Sequence, residues 1–212
     1  MRTAWTTATA LLAILEFQAI GRAQQTELMK RIWAGVQQAQ QKYTSYCGTM
    51  TETRTSKLLA KPMVFHGKFC ADGMTRFALE YTEPDPIRIR YNQDYLNVTT
   101  GGGKHTEVLE VGGNVRRTQS FFSKENSLDN LQKSFTIDAH EGDRLFEMKL
   151  TPRSERFRSK VNYVVVKLAK ENFLLRSLEV DGKSGVNSVF TIELTSFNSA
   201  IAPGTFEVIK PQ

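Results

Sequence analysis

The sequence has few of the residues from which catalytic and metal-binding sites are built. It contains three histidines and two cysteines in 212 residues, and no HxH or HxxxH pair, the spacings typical of a metal site, occurs. A GxSxG elbow, a P-loop and a dinucleotide-binding fingerprint are also absent. We therefore expect no metal, no cofactor and no enzymatic activity. A hydrolase whose nucleophile and base converge only in the fold is the alternative.

The sequence also lacks long runs of apolar or like-charged residues beyond its N-terminal segment. No later stretch approaches the roughly 20 apolar residues that a membrane-spanning helix needs. The formal net charge is +6, but lysine and arginine are scattered among aspartate and glutamate. This distribution argues against nucleic-acid binding, whereas a mild positive charge favours anionic lipid surfaces or acidic partners. No repeat or linker is visible, so we expect one domain and a monomer.

Residues 1–23 have the pattern of a secretory signal peptide. Arg2 supplies a positive start, residues 8–15 are apolar apart from Thr9, and Gly21 and Ala23 are the small residues that a signal peptidase reads. We expect cleavage after Ala23 and an exported domain over residues 24–212. A frayed N-terminal helix is the alternative interpretation.

The stretch Gly67–Asp85 predicts two strands joined by a turn at Asp72-Gly73. Large apolar side chains occupy every second position (one parity of the residue number), and polar side chains occupy the positions between them. This alternation is typical of a sheet with one solvent-exposed face and one apolar face. Similar alternation continues along the chain and predicts about 11–12 antiparallel strands joined by short connections, the last over residues 205–209. The predicted inward positions are Phe65, Phe69, Phe77, Leu79, Tyr81, Ile87, Ile89, Phe135, Ile137, Phe146, Met148, Leu150, Phe190, Ile192 and Leu194.

Two segments have helical spacing instead. Residues 26–43 form an apolar stripe with Thr26 as a plausible N-cap. Residues 115–133 predict one or two short helices that carry Phe121, Phe122, Leu128 and Leu131. Because so large an antiparallel sheet must curl, we predict a mainly β fold, an unclosed and strongly curved antiparallel barrel lidded by helices.

The two cysteines are expected to form a disulfide, because an exported chain meets an oxidising compartment. A hairpin closed near Leu58-Leu59 would place Cys47 directly opposite Cys70. The bridge would lie on the polar face, away from the phenylalanines. We interpret it as structural, because no CxxC motif suggests a redox role.

The inward face offers a binding site. A concavity lined by Phe65, Phe69, Phe77, Leu79, Tyr81, Ile87, Ile89, Phe146, Met148, Phe190 and Ile192 could hold acyl chains, with Phe121, Phe122, Leu128 and Leu131 as its lid. The alternative is that the same side chains pack a solid core beneath the helices. The pattern does not separate these two possibilities.

The order of several motifs resembles the periplasmic outer-membrane lipoprotein carriers, the LolA-like family. Arg76-Phe77, Tyr81 and Pro84 match its R-F-x-x-x-Y-x-x-P pattern, and Leu150-Thr151-Pro152 matches its L-x-P at the end of a strand. The closing pattern is similar to the family's N-x-x-I…F…P strand, at Asn198, Ile201, Phe206 and Pro211. The resemblance covers roughly residues 28–211, nearly the whole predicted domain.

This resemblance implies a carrier in the periplasm. Such proteins receive acylated lipoproteins from an inner-membrane ABC-type release complex and pass them to an outer-membrane acceptor, without a nucleotide or metal of their own. The chain departs from the family at Gly73 and Met74, where an Arg-Pro pair usually supplies the lid latch. We therefore regard it as a divergent member, and a lipid- or lipoprotein-sensing regulator or a carrier of a different amphiphile is the alternative.

Overall fold

The computed structural model describes the backbone of residues 5–73, 75–92, 94–110 and 128–210, with side chains described from residue 24 onwards. The helices are α1 (Trp5–Lys42), α2 (Leu128–Ser134) and α3 (Glu155–Arg158). The strands are β1 (Ser45–Ser56), β2 (Met63–Asp72), β3 (Arg76–Glu83), β4 (Ile87–Asn92), β5 (Tyr95–Thr100), β6 (His105–Glu110), β7 (Phe135–Glu141), β8 (Leu145–Pro152), β9 (Val161–Ala169), β10 (Leu175–Gly182) and β11 (Val186–Phe197).

The strands form one 11-stranded sheet in the order β6-β5-β4-β3-β2-β1-β11-β10-β9-β8-β7. Every neighbouring pair is antiparallel. The edges are β6 and β7, so the sheet is not closed. Short connections make sequence neighbours pair, and among the described strands one pairing is long-range, that of β1 with β11. The predicted mainly β, open and curved antiparallel architecture is confirmed.

The β1–β2 hairpin has the register expected from the sequence. Cys47 pairs with Cys70 and Thr51 with His66, and the cysteines are bridged with an Sγ–Sγ distance of 2.06 Å. Because successive side chains alternate between faces, the bridge lies opposite the face that carries Phe69. The predicted disulfide and its placement are confirmed.

Helix α1 lays its apolar stripe on the sheet. Met29, Ile32 and Ala39 are buried, as the spacing predicts. The helix approaches closely at Gly35, where a Cβ atom would lie 2.3 Å from the ring of Phe173. The predicted N-cap at Thr26 is wrong, because α1 begins at Trp5 and is already helical on both sides of that residue.

The predicted strand over residues 205–209 is also wrong. Its backbone makes turn hydrogen bonds, from Thr205 N to Ala202 O and from Glu207 N to Gly204 O, rather than a strand ladder. The segment lies on the polar outer face, where Arg90 Nη1 donates to Glu207 O. Asn97 binds both the N–H and the C=O of Ile209. Side-chain hydrogen bonds thus replace the strand pairing that the sequence suggested.

None of the described helices is long and apolar enough to cross a membrane.

Candidate functional site

Two apolar clusters lie on the inner face of the sheet. The first, which we call the helix cluster, comprises Met29, Ile32, Leu131, Phe135, Ala139, Phe146, Met148, Leu150, Val166 and Leu168. The second, the sheet cluster, comprises buried Met50, Phe65, Phe69, Leu79 and Tyr81 with partly buried Tyr46, Phe77, Ile87, Ile89, Phe190, Ile192 and Leu194. Their edges meet at one cross-strand pair, because Leu178 packs on the helix cluster and its partner Phe190 on the sheet cluster.

The structure divides the predicted lining residues between the two clusters. Phe146 and Met148 belong to the helix cluster, where both are almost fully buried. The other predicted lining residues belong to the sheet cluster. The side chains of β2, β3, β4 and β11 that face inwards thus come together although some lie far apart in the chain, such as Phe65 and Ile192 at 127 residues.

The predicted lid is divided as well. Leu131 is buried in the helix cluster, and Leu128 packs against that cluster from the start of α2. Phe121 and Phe122 lie outside the described residues.

The sheet cluster is held by aromatic contacts between neighbouring strands. The ring centroids of Phe65 and Tyr81 are 5.7 Å apart, and those of Tyr46 and Phe69 are 6.3 Å apart, both edge to face. Phe69 and Phe77 lie 6.2 Å apart. Edge-to-face rings add modest attraction to their burial. The described helices contribute no side chain to this cluster, and their main contacts are with β7, β8 and β9.

A carboxylate is buried beside these aromatic rings. Glu52 is 1% exposed and stands opposite Phe65 on one side and Phe190 on the other. The hydroxyl of Tyr81 donates to Oε2 at 2.6 Å, and that of Ser188 donates to Oε1 at 2.9 Å. A buried charge is costly unless it is paired and hydrogen-bonded, and these donors supply part of that compensation.

The remaining compensation comes from Arg54. Its Nε and Nη2 both donate to Oε1 of Glu52, at 3.0 and 2.8 Å, and its guanidinium lies 4.7 Å from the centre of the Phe65 ring. Burial, together with the hydrogen bond to Glu52, raises the pKa of Tyr81 well above its usual value. The phenol therefore stays protonated and keeps donating to the carboxylate.

Sequence reasoning missed this polar group. Glu52 and Arg54 share the parity of Met50, and the hairpin register that predicted the disulfide also places Glu52 opposite Phe65. A charged residue at an inward position was therefore a visible signal. The partner Ser188 was not visible in this way, because it lies 136 residues further along the chain.

The register places His105 on the inner parity of the edge strand β6, whereas His66 and His140 lie on the outer face. His66, His105 and His140 are exposed. Two clefts of about 490 and 510 Å³ lie between this face and the C-terminal segment, the first beside the Cys47–Cys70 bridge. Over the described side chains, no group of three or more histidine, cysteine, aspartate or glutamate residues is arranged to hold a metal ion.

Comparison with known proteins identifies similarity of fold only. No protein-family model matches the sequence, and no curated protein matches it. MucB superposes with a TM-score of 0.50 at 11% identity, over 88% of this chain and 63% of that one. An uncharacterized conserved protein from Thermus thermophilus has a TM-score of 0.50 at 11% identity, over 85% of this chain and 97% of that one.

The structures found also include a LolA superfamily protein from Nitrosomonas europaea. Its TM-score is 0.43 at 12% identity, over 84% of this chain and 97% of that one. The LolA superfamily is the group that the sequence motifs resemble. This chain therefore shares the fold of MucB and the Thermus thermophilus protein, and resembles LolA superfamily proteins more distantly.

Proposed function

We propose that this protein is a periplasmic carrier that binds the acyl chains of lipoproteins and shuttles them from the inner to the outer membrane. The observation that carries the proposal is the sheet cluster, an extended set of apolar side chains on the inner face to which the described helices contribute no side chain. The opposite half has an ordinary helix-packed core. An apolar surface set apart in this way is suited to a ligand.

The chemistry of the sheet cluster fits acyl chains. Its side chains are aliphatic and aromatic, and transfer of each CH₂ group from water to such surroundings contributes about 0.8 kcal/mol. The binding is non-directional, so chains of different length can occupy the same surface. Delivery would need partners that load and unload the carrier, and an inner-membrane ABC-type release complex and an outer-membrane acceptor fill these roles in the proposal.

Native mass spectrometry of the protein, purified from a periplasmic extract without detergent, tests the proposal. We expect added mass that corresponds to acylated protein or lipid and that is lost on denaturation. Phe69→Asp should abolish the added mass, because it places a charge within the sheet cluster. Leu58→Asp is the matched control, since Leu58 is 93% exposed. A wild-type protein that carries no lipid, and is not stabilised by an added acyl compound, would contradict the proposal.

A second candidate is a regulator that senses lipids or lipoproteins. The similarity to MucB favours it, and MucB itself has been crystallised in complex with MucA. In that case the protein would bind a membrane-anchored signalling protein rather than a transport complex. Crosslinking in intact cells distinguishes the candidates: capture of a release complex supports the carrier, and capture of a signalling protein supports the regulator.

A further inference from the structure

Arg54 lies where the inner face of the β1–β2 hairpin becomes accessible to solvent. Its cross-strand partner Met63 is 39% exposed, whereas Phe65, the next side chain on the same face of β2, is 7% exposed. The side chain of Arg54 is itself 41% exposed. The buried part of the sheet cluster therefore ends between Phe65 and Met63, and the positively charged side chain of Arg54 lies at that end.

The guanidinium of Arg54 is held in place through Nε and Nη2, which leaves Nη1 to bind a ligand. Nε and Nη2 are held by Glu52, and the plane lies near the ring of Phe65. Over the part of the chain that the structure describes, Nη1 makes no hydrogen bond to the protein. A planar guanidinium recognises phosphate and carboxylate oxygens through paired N–H donors. Its orientation is already set, so little side-chain entropy is lost when an anion binds.

Glu52 offsets the charge of Arg54, so the pair is formally neutral and Arg54 offers an anion the N–H donors of Nη1 rather than a net charge. The carboxylate accepts further hydrogen bonds from Tyr81 and Ser188, which stabilise its charge inside the sheet. The hairpin tip adds Lys57 and Lys61, both exposed. Residues 53–71 contain no aspartate or glutamate. The hairpin tip at this end of the sheet cluster is therefore basic, while Glu83 on β3 lies opposite His66.

We propose that Arg54 binds the anionic headgroup, phosphate or carboxylate, of an amphiphile whose hydrocarbon chain lies on the sheet cluster. This inference rests on the proposed carrier function and goes beyond it, because the cargo that it names is an anionic amphiphile rather than a lipoprotein, whose acyl anchor carries no phosphate or carboxylate. Arg54 selects the headgroup, and Glu52 is a positioning residue that holds the guanidinium.

Isothermal titration calorimetry with two detergents of equal chain length tests the selectivity. Dodecyl phosphate and dodecyl maltoside are titrated below their critical micelle concentrations, with inorganic phosphate as a third ligand. We expect dodecyl phosphate to bind roughly tenfold to a hundredfold more tightly than dodecyl maltoside, the range given by one charged hydrogen-bonded contact. Inorganic phosphate alone should bind far more weakly, because it gains nothing from the apolar cluster.

Variants assign the selectivity to Arg54. Arg54→Gln should abolish the preference, so that the variant binds dodecyl phosphate no more tightly than it binds dodecyl maltoside. Arg54→Lys should restore part of the preference, because it retains the charge but not the planar fork. Arg88→Gln is the matched control, since Arg88 is a paired arginine on the outer face. Thermal melting of each variant shows that it is folded, and the comparison of ligands on wild-type protein needs no variant.

The outcomes separate this inference from the proposed function. Equal binding of both detergents, unchanged by Arg54→Gln, overturns the headgroup site and leaves the carrier intact. Failure of both detergents to bind contradicts the carrier itself. A third outcome is attachment to intact anionic vesicles that depends on Leu58 and not on Arg54, with no binding of monomeric dodecyl phosphate. This result would show that the hairpin tip contacts a membrane surface, and it would also overturn the headgroup site.

Discussion

The two halves of the inner face have the same strand pattern but different surroundings. The helix cluster is covered by α1 and α2, and its members at Ile32 and Leu131 are essentially inaccessible. The described helices contribute no side chain to the sheet cluster, and a buried carboxylate lies beside it. Alternation along a strand therefore specifies which side chains face inwards, but it does not specify what they face.

The two halves also differ in whether a charged group is buried in their interior. The helix cluster needs only close packing, which explains why Gly35 lies so near the ring of Phe173. Beside the sheet cluster lies Glu52, whose burial is tolerated because Arg54, Tyr81 and Ser188 satisfy its oxygens. A polar group of this kind adds little stability compared with apolar packing, so its presence is consistent with a role in binding.

The largest effect is expected in the helix cluster. Ile32→Ala should lower the free energy of unfolding by about 2–5 kcal/mol, because it leaves a cavity beneath α1. Urea denaturation measures the loss, and Leu58→Ala at the exposed hairpin tip is the control. Affinity for dodecyl phosphate, measured under native conditions, should not change. A parallel loss of affinity would show that the two halves are not separate.

Removal of the disulfide should destabilise the half of the sheet that contains the sheet cluster. The Cys47→Ser, Cys70→Ser double variant is expected to lose about 3 kcal/mol, the entropy of closing a loop of this size. Hydrogen exchange should accelerate more in β1 and β2 than in β8 and β9. Reduced wild-type protein provides a matched comparison and should behave in the same way. Uniform acceleration across the sheet would contradict a local role.

Neutralising the buried carboxylate should have a smaller effect. Glu52→Gln is expected to cost about 1–3 kcal/mol, because hydrogen bonds to a charged group are weakened in a buried site. Glu80→Gln is the control, since Glu80 forms an exposed ion pair with Arg88 and should cost less than about 1 kcal/mol. Chemical denaturation measures the loss of unfolding free energy in each variant. Equal losses would mean that the hydrogen bonds around Glu52 stabilise the protein no more than an exposed ion pair does.

The smallest effect concerns the outer side of the sheet. Asn97 is 3% exposed and binds the backbone of Ile209 through both amide atoms. Asn97→Ala should cost about 1 kcal/mol and make the chain after Phe197 more sensitive to limited proteolysis. Thr99→Ala on the same strand is the comparison variant. Unchanged cleavage in Asn97→Ala would show that other contacts hold this segment.

Much of the fold was predictable because its determinants are local. The register of the β1–β2 hairpin follows from its closing turn, and it correctly placed Cys47 opposite Cys70. The burial of Ile32 on α1 follows from helical spacing. The strand predicted over residues 205–209 failed because its β pattern had no partner strand, and its hydrogen bonds go to turns and side chains instead.

The candidate site was predictable only in part. Parity identified Phe65, Phe69 and Tyr81 as inward residues, and the structure brings them together. Parity equally selected Phe146 and Met148, which lie under α1. The charged residue beside the rings is not predicted by a pattern of apolar side chains, although Glu52 shares the inward parity of Met50.

The sequence by itself determined which side chains share a face, which cysteines pair and how the strands follow one another, because these depend on a period of two and on short connections. Only the tertiary structure decided which half of that face α1 covers and how Glu52 is satisfied. Ser188 reaches Glu52 across 136 residues of sequence, through the pairing of β1 with β11. Such contacts depend on where the curved sheet brings distant strands together, which no local pattern encodes.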